Sequence, residues 1–223
     1  MPTLDEAPRL PRLLQDLSAL SIPHEIIVAD GGSTDGTTDV AAARGARVVR
    51  APRGRGRQLV AGVASATGTW LLMVHADARL PATAVRAAEA VVDRPEVDAA
   101  AWPLAIAGRG AWLRWVERSA ALRWRLTGLV YGDQGLLVRR AVYDAVGGYP
   151  DTDIMEDVVL ARRLAQRTRV VRLPEPILAD ARRWQREGRV RGTVRNVTLL
   201  SLFLAGVAPD RLARWYRPEP RAR

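Results

Sequence analysis

The sequence predicts an α/β protein with a mostly parallel, Rossmann-like sheet flanked by helices, on the strength of three observations. Short apolar runs without alternation, such as residues 70–74, are typical of strands buried on both faces of a parallel sheet. These runs alternate with segments that have the apolar spacing of amphipathic helices. Polar or glycine-rich turns follow two of the runs, at residues 30–37 and 75–77. In open α/β sheets ligands gather at the carboxyl ends of strands, so these turns are candidate binding segments.

The first 92 residues predict a regular order of helix, strand, helix, strand, helix, strand and helix. Leucines at helical spacing indicate the first helix, and Pro81 stands at the first-turn position of the last one. The strands lie between them, each followed by a turn. The predicted helices are 6–20, one ending near residue 44, one ending at residue 66, and 82–92, and the strands are 24–29, 47–50 and 70–74.

The remainder of the chain is less regular but continues the same pattern. It predicts strands at 97–102, 136–139 and 169–172, and helices at 110–126, before the glycine pair 147–148, and at 156–166. The tail, residues 182–214, is predicted to be helical with breaks at Gly188, Gly192 and Gly206. No repeat or linker divides the chain, so we expect one domain over residues 1–223.

Composition limits the possible functions. Without cysteine, the chain has no disulfide, no thiolate zinc site and no cysteine nucleophile. The 34 Lys and Arg residues are all arginine, and the formal net charge of +10 favours nucleoside diphosphates, anionic lipid or nucleic acid as partners. The polar N-terminus predicts no signal peptide, and the longest uncharged run, 58–76, is interrupted at 67–69. We therefore expect a cytoplasmic protein, either soluble or peripheral at the inner face of the membrane.

Two acidic positions at predicted strand ends suit ligand binding. Asp30 is placed to hydrogen-bond a ribose or base edge, although it also suits a turn, with Asp35 capping the next helix. Asp77, with His75 two residues before it, suits a divalent cation that binds a phosphate. The alternative for Asp77 is a helix cap or a solvent-facing side chain.

Two further segments have both a chemical and an ordinary structural interpretation. Residues 53–57 alternate arginine with glycine before a helix, which suits a diphosphate or, equally, a solvated basic loop. Glu156 and Asp157 begin a helix, where one of them could act as a general base. Carboxylates in a first turn are also common because they complement the helix dipole.

Taken together, these segments resemble the inverting, GT-A-type glycosyltransferases of family two. The matching runs occur in the family's order, at residues 2–6, 28–37, 75–77 and 147–160. Three motifs further resemble a small subgroup, the radical-SAM/selenodomain-associated transferases. Those motifs are His75-Ala76-Asp77, Gly132-Asp133-Gln134 and Arg182-Arg183-Trp184.

The resemblance implies a donor site in the half of the domain before residue 106. Thr3 and Asp5 would line the base pocket, and Asp30 would hydrogen-bond the uracil or ribose of a UDP-sugar. Arg55 or Arg57 would contact the diphosphate. The family also begins with an apolar strand ahead of the run that contains Thr3, so the resemblance implies a strand preceding Met1.

The resemblance also implies the metal, the base and the acceptor side. Asp77 matches the second aspartate of the family's Asp-X-Asp motif and would bind Mg²⁺ or Mn²⁺. His75 replaces the first aspartate, and imidazole suits Mn²⁺ better than Mg²⁺. Asp157 matches the proposed base, with Glu156 beside it. The residues expected near the acceptor and diphosphate are Asp133, Gln134, Arg183 and Trp184.

The implied activity is transfer of a sugar from a nucleotide donor to a small-molecule or lipid-linked acceptor, with inversion. Residues 1–105 would bind the donor, 106–180 the acceptor and catalytic groups, and 181–223 would form the helical tail. The tryptophan-rich helix 110–126 would either lie on an anionic membrane or pack over the acceptor groove.

Three other functions compete with this one. A nucleotidyltransferase of related fold would need a glycine-rich, lysine-containing signature that the chain lacks. A nucleic-acid-binding protein is disfavoured because the arginines are scattered rather than grouped in a known module. The third is a family member that binds nucleotides without catalysis.

Overall fold

Most of the strand pairs in the sheets are parallel. The computed structural model describes residues 1–182 and 188–216, and for residues 189–191 it describes the backbone alone. A parallel sheet joins β1 (Pro2–Thr3), β2 (Ile27–Asp30) and β3 (Arg47–Arg50) in that order. A second sheet contains β4 (Trp70–Met73), β5 (Ala99–Ala101), β7 (Leu136–Arg139) and β8 (Val170–Arg172), in the order β4-β7-β5-β8. Strands β6 (Leu104–Ile106) and β9 (Ile177–Ala179) form a parallel pair.

Helices connect these strands and cover the sheets. In chain order they are α1 (Leu10–Leu17), α2 (Thr37–Ala42), α3 (Arg55–Ser65), α4 (Ala82–Val92), α5 (Ala111–Thr127), α6 (Arg140–Ala145), α7 (Glu156–Arg167), α8 (Arg189–Leu204) and α9 (Pro209–Trp215), with a short 3-10 helix at Gly132–Gln134. The predicted α/β architecture is therefore confirmed. Strand β7 runs antiparallel to both β4 and β5, which makes the second sheet mixed.

Burial explains why the apolar runs are strands. All four residues of β2 are buried, as are all three of β5. A strand that is covered on both faces has no face exposed to solvent, so its sequence is apolar throughout rather than alternating. Trp102, which follows β5, is fully buried and its indole N–H donates to the Ala84 carbonyl at 3.1 Å, tying the sheet to α4.

The main errors of the sequence-based prediction are short strands and helix ends. Strands β1, β6 and β9, of two or three residues each, were not predicted. Helix α1 begins at Leu10 rather than residue 6, with a proline in its first turn. Gly192 lies within α8 and does not break it, whereas Gly188 precedes the helix and Gly206 follows its end.

Helix α5 packs one of its sides against the strands and leaves another exposed. Leu113 and Ala120 are buried in a cluster with β6, and Trp124 is buried in a second cluster under β5 and β7. Trp115 and Leu126 are 50% and 73% exposed, and the Trp115 ring stacks on that of Trp112. Across residues 1–182 and 188–216, no helix is both long and apolar enough to span a bilayer.

Candidate active site

The candidate site consists of three groups of polar side chains at the ends of β2 and β4 and at the start of α7. We call them the loop group (Asp5, Asp30, Ser33 and Thr34), the Asp77 group (Glu6, Arg9, Asp77, Asp180 and Arg182) and the Asp157 group (Arg55, His75, Gly132, Glu156 and Asp157). The first two adjoin through the peptide bond between Asp5 and Glu6. The second and third adjoin through His75 and Asp77, which are two residues apart.

The loop group fixes the turn that follows β2. Asp30 is buried, and its Oδ2 accepts hydrogen bonds from the backbone N–H groups of Gly32 and Ser33, each at 2.9 Å. Its Oδ1 accepts from the Ser33 hydroxyl. The Oδ1 of Asp5 accepts from the Thr34 N–H at 2.7 Å, which joins this turn to the loop after β1. Asp30 therefore shapes the turn, as one of the two interpretations predicted, and its contact with a ribose or base stays a prediction.

Backbone strain marks both loops that carry acidic candidates. Asp5 has φ 51° and Met155, which precedes α7, has φ 64°. Non-glycine residues rarely adopt this left-handed conformation, and they retain it where surrounding contacts enforce it. At Met155 it orients Glu156 and Asp157 as the first two residues of the helix.

Thr3 and Gln134 are buried structural residues. Thr3 is 2% exposed, and its hydroxyl donates to the Ala29 carbonyl at 3.4 Å. Gln134 is fully buried, and its Oε1 accepts from Arg123 at 2.6 Å. We predicted that Gln134 would contact the acceptor or diphosphate, but its side chain instead binds protein groups inside the fold. Asp133 lies beside it in the 3-10 helix.

Asp77 lies among arginines. Its Oδ2 is 3.1 Å from Arg182 Nη2, and Arg182 also pairs with Glu6. Arg9 bridges Glu6 and Asp180, with 3.1 Å between its Nε and Asp180 Oδ2. Burial raises the pKa of Glu6 against the attraction of Arg182. A guanidinium thus neutralises Asp77 at the position predicted for a cation. Glu6 and Arg182 lie in segments that the resemblance includes, but the sequence does not predict their contact with each other.

His75 lies with the predicted base rather than with Asp77. Together with Tyr131, Glu156 and Asp157 it lines a cavity of about 20 Å³, which has room for about one water molecule. A Cβ atom on Gly132 would lie 2.9 Å from the His75 Nε2, so only glycine fits there without movement. Within the described parts of the chain, no three His, Asp or Glu side chains group closely enough to bind a metal ion.

Glu156 and Asp157 are adjacent in sequence but have different environments. Glu156 is fully buried and pairs with Arg55, whereas Asp157 is partly exposed, with its Oδ2 at 3.7 Å from Arg55 Nη2. The Gly132 N–H donates to the same Oδ2 at 3.0 Å. Burial raises the pKa of Glu156. Burial acts in the same direction on Asp157, but the Arg55 charge and the Gly132 N–H outweigh it and lower its pKa.

Two of the predicted arginines separate in space. Arg55 lies in the Asp157 group and its pKa is raised by Glu156 and Asp157 against the effect of burial. Arg57 lies on the surface, where it pairs with Asp151 at 3.1 Å and Asp153 at 3.3 Å. The structure therefore favours Arg55 over Arg57 as a site residue. The predicted residues Arg183 and Trp184 lie outside the described residues.

The architecture is that of the GT-A glycosyltransferases: a mostly parallel sheet flanked by helices, with acidic side chains at the strand ends. The chain belongs to glycosyl transferase family 2, because residues 1–144 match the model of that family. An uncharacterized glycosyltransferase of Mycobacterium tuberculosis is 39% identical over 83 residues, which are 37% of this chain and 37% of that protein. The match therefore spans just over a third of that relative.

Two solved structures show the same fold. The mannosyltransferase PcManGT from Pyrobaculum calidifontis, in complex with GDP-Man and Mn²⁺, aligns over 80% of this chain and 54% of its own, with a TM-score of 0.58 and 21% identity. Residues 1–349 of S. aureus TarS, in complex with UDP-GlcNAc, align over 80% of this chain and 56% of that one, with a TM-score of 0.64 and 20% identity. This chain spans a little over half of each of these structures.

Three features of the site were not apparent from the sequence. The motif around Gly132 drew attention to Asp133 and Gln134, but the backbone N–H of Gly132 itself reaches Asp157. Arg182 begins the tail motif, which does not indicate that it pairs with Asp77. Tyr131 carried no motif, yet it borders the cavity, and Arg123 lies 3.7 Å over its ring.

Proposed function

We propose that this chain transfers a sugar from a nucleoside diphosphate donor to an acceptor hydroxyl, with inversion at the anomeric carbon. The acceptor oxygen forms a bond to that carbon as the bond to the diphosphate breaks. The acceptor's proton passes to Asp157, and the nucleoside diphosphate leaves. One in-line displacement of this kind inverts the anomeric centre.

The observation that carries this proposal is the difference between the two carboxylates at the start of α7. A general base must be deprotonated, and Arg55 and the Gly132 N–H favour the charged form of Asp157. Asp157 is also the more exposed of the two, with 17% of its side chain accessible against none for Glu156. Glu156, buried beneath it, positions Arg55.

The donor would be bound by the other two groups. The loop group offers a rigid turn with a buried carboxylate for the ribose or base. PcManGT with GDP-Man and TarS with UDP-GlcNAc support a nucleotide sugar as the donor class. The arginines of the Asp77 group and Arg55 are suited to the negative charge that develops on the diphosphate.

Asp77 is the residue that would bind Mg²⁺ or Mn²⁺. Such a cation would take most of its other ligands from phosphate and water oxygens, as Mg²⁺ commonly does. Bound there, it would add positive charge beside the leaving diphosphate. The Mn²⁺ in the PcManGT complex supports a divalent cation beside the donor. Because His75 faces Asp157, we assign no metal-binding role to it.

The test measures release of UDP and GDP from several nucleotide sugars, with and without Mn²⁺. Asp157→Asn and Asp77→Ala are each expected to lower the rate by at least about 100-fold. Asp153→Asn is the matched control, since Asp153 is an exposed carboxylate nearby that pairs with Arg57. If wild-type protein releases no nucleotide, or if Asp157→Asn is as active as the control, the transferase proposal is wrong.

A nucleotide-binding protein without catalysis is the second candidate. The observation in its favour is that Asp77 is already neutralised by Arg182. Under this alternative UDP or GDP would bind with Mn²⁺-independent affinity, and no nucleotide sugar would be turned over. Isothermal titration alongside the release assay separates the two functions.

We also propose that the exposed side of α5 rests on an anionic membrane and gives access to a lipid-linked acceptor. Trp115, Leu122 and Leu126 are each at least half exposed, and Arg118 and Arg125 are exposed between them. Apolar and basic side chains on one helix are typical of interfacial binding. Flotation with anionic liposomes at low salt is expected to recover the protein. No recovery, or equal recovery of a variant with Ser at all three apolar positions, contradicts this proposal.

A further inference from the structure

A surface pocket of about 210 Å³ lies between α5 and the carboxyl ends of β5 and β8. Part of its lining is apolar: Pro103 precedes β6, Leu104 begins it, and Trp124 comes from α5. The pocket is about ten times as large as the cavity of about 20 Å³ beside Asp157, and the two share no lining residue. It also contains no member of the loop group, the Asp77 group or the Asp157 group. It is therefore a separate candidate binding site.

Two arginines from different elements border this pocket. Arg118 lies on α5 and Arg172 is the last residue of β8, and both are exposed. Throughout residues 1–182 and 188–216, their guanidinium groups make no ion pair and no hydrogen bond. Arg114, on the same helix, pairs with Glu117 at 2.9 Å. The pocket thus has two positive groups that the fold itself does not use.

One acidic side chain, that of Glu117, also lines the pocket. Its Oε1 lies 2.9 Å from Arg114 Nη2 and accepts a hydrogen bond from the Ile106 N–H at 2.6 Å. Its side chain is only 15% exposed. Because Arg114 balances the charge of Glu117, the charges of Arg118 and Arg172 remain to attract an anion.

The chemistry of the lining favours a phosphate ester over other anions. Guanidinium groups bind phosphate and carboxylate through paired N–H groups. A phosphate monoester carries nearly two negative charges at pH 7, which two arginines can balance, whereas a carboxylate carries one. The Trp124 ring and Leu104 offer an apolar surface to the carbon atoms of the ester. Gln134 also borders the pocket, but its amide already accepts from Arg123 at 2.6 Å inside the fold.

We propose that this pocket binds a small phosphate ester, with Arg118 and Arg172 on the phosphate group and the carbon atoms against Trp124. The site is separate from the transfer reaction, and its test needs neither a nucleotide sugar nor turnover. The phosphate ester is either a soluble metabolite or the headgroup of a lipid, since Arg118 also lies beside the exposed apolar residues of α5. The two sources share the same chemistry and are separated by experiment.

The first experiment titrates glycerol 3-phosphate into the full chain by calorimetry, with UDP and Mn²⁺ present to occupy the donor site. A dissociation constant of about 1 mM or lower is expected for a ligand of this size. The double variant Arg118→Gln/Arg172→Gln should weaken binding at least about tenfold. Ala121→Leu should also weaken it, because Ala121 lines the pocket, is exposed, and can be enlarged without a change of charge.

The matched control is Arg125→Gln/Arg169→Gln. It removes the same charge from α5 and from the residue before β8, at exposed positions that do not line the pocket. It should change the affinity by less than about twofold, because charges at a distance are screened by salt. Glycerol, which lacks the phosphate, is expected not to bind. A melting curve for each variant separates loss of binding from loss of folding, and either arginine can be replaced alone if the double variant is unstable.

Flotation with vesicles that contain phosphatidic acid distinguishes the two sources. If the pocket variant is recovered less than the control variant, the phosphate belongs to a lipid headgroup. If both are recovered equally while the wild-type chain binds glycerol 3-phosphate, it belongs to a soluble ester.

Three results would overturn the proposal. The first is equal affinity of the pocket and control variants for glycerol 3-phosphate, together with equal recovery by the vesicles. The second is an affinity that Ala121→Leu leaves unchanged. The third is binding that weakens in Arg55→Gln but not in the pocket variant, which would place the phosphate at the donor site. None of these readouts uses nucleotide release, so this proposal and the transferase proposal can fail separately.

Discussion

The adjacent carboxylates of α7 should respond in opposite ways to the same substitution. In Glu156→Gln the amide oxygen can still accept from Arg55, but the NH₂ group then replaces Oε2. That atom is buried and has no hydrogen-bond partner among the described residues. A buried unsatisfied donor costs about 1 to 3 kcal/mol, and weakening the bond to a charged partner adds to this cost. We expect Glu156→Gln to lower the free energy of unfolding by about 3 kcal/mol.

Asp157→Asn should cost less stability than Glu156→Gln and should remove activity. Asp157 is partly exposed, so water can solvate the new amide, and the amide oxygen can still accept from the Gly132 N–H. Loss of the base should lower kcat by about 10² to 10⁴. In Glu156→Gln, by contrast, the base is intact, and activity should persist at temperatures where the protein remains folded.

The assay pairs urea unfolding with donor turnover for both variants and for Asp153→Asn. A loss of about 3 kcal/mol corresponds to a fall in Tm of about 6 to 12 °C for a chain of this size. The reasoning is refuted if Glu156→Gln loses less than about 1 kcal/mol, since burial beside Arg55 would then be unimportant. It is also refuted if Asp157→Asn destabilises the fold more than Glu156→Gln does.

Three further predictions use the same protein. Gly132→Ala should lower turnover at least tenfold with little loss of stability. The added Cβ would lie 2.9 Å from His75 Nε2 and 3.4 Å from Asp157 Oδ2. Steady-state kinetics and a melting curve check this prediction. The pKa of the Met1 amine is about 5 in the folded chain, against 8.0 for an amine in water. Between pH 8 and pH 5 the amine is therefore protonated in the unfolded chain and neutral in the folded one. Stability should therefore fall as the pH is lowered through this window, by at most about 3 × 1.36 ≈ 4 kcal/mol, and N-terminal acetylation should flatten the profile in urea titrations. Arg182→Gln should strengthen the binding of Mn²⁺ in the absence of nucleotide severalfold, because Glu6 and Asp77 lose the guanidinium that pairs with both of them. An unchanged Mn²⁺ affinity in titration calorimetry would contradict this.

The sequence predicted the helices and strands that have clear patterns. It did not determine which strands pair or which side chains contact one another. Helix α4 and strands β3 and β7 were predicted to the residue, because each apolar run lies between clear turn or proline signals. Strand β9, by contrast, was not predicted. Arg55 and Arg57 were indistinguishable in sequence. They differ because α3 begins against the loop before α7, where a Cβ on Gly56 would lie 2.4 Å from the Thr152 carbonyl.

The acidic residues of the site required long-range contacts that no local pattern encodes. Glu6 and Arg182 are 176 residues apart and meet only because the chain after β9 returns to the end of β1. Asp157 and Gly132 are 25 residues apart and meet where the loop before β7 reaches the start of α7. The family's motifs could identify Glu156 and Asp157 as candidates. The opposite shifts of their pKa values depend on the burial of Glu156 and on the hydrogen bond that Asp157 accepts from the Gly132 N–H.

Arg55 and Arg182 contribute nothing to the chain's net charge of +10, since each of them pairs with two carboxylates. Arg55 neutralises Glu156 and Asp157, and Arg182 neutralises Glu6 and Asp77. A diphosphate arriving between these pairs would compete with four carboxylates for two guanidinium groups. Donor binding therefore has to break the ion pairs of Arg182 or bring in a further cation. When Arg182 leaves Asp77, the Asp77 carboxylate becomes available to bind that cation. This coupling predicts that Mn²⁺ and a nucleoside diphosphate bind more tightly together than either does alone, and independent affinities in calorimetric titrations would contradict it.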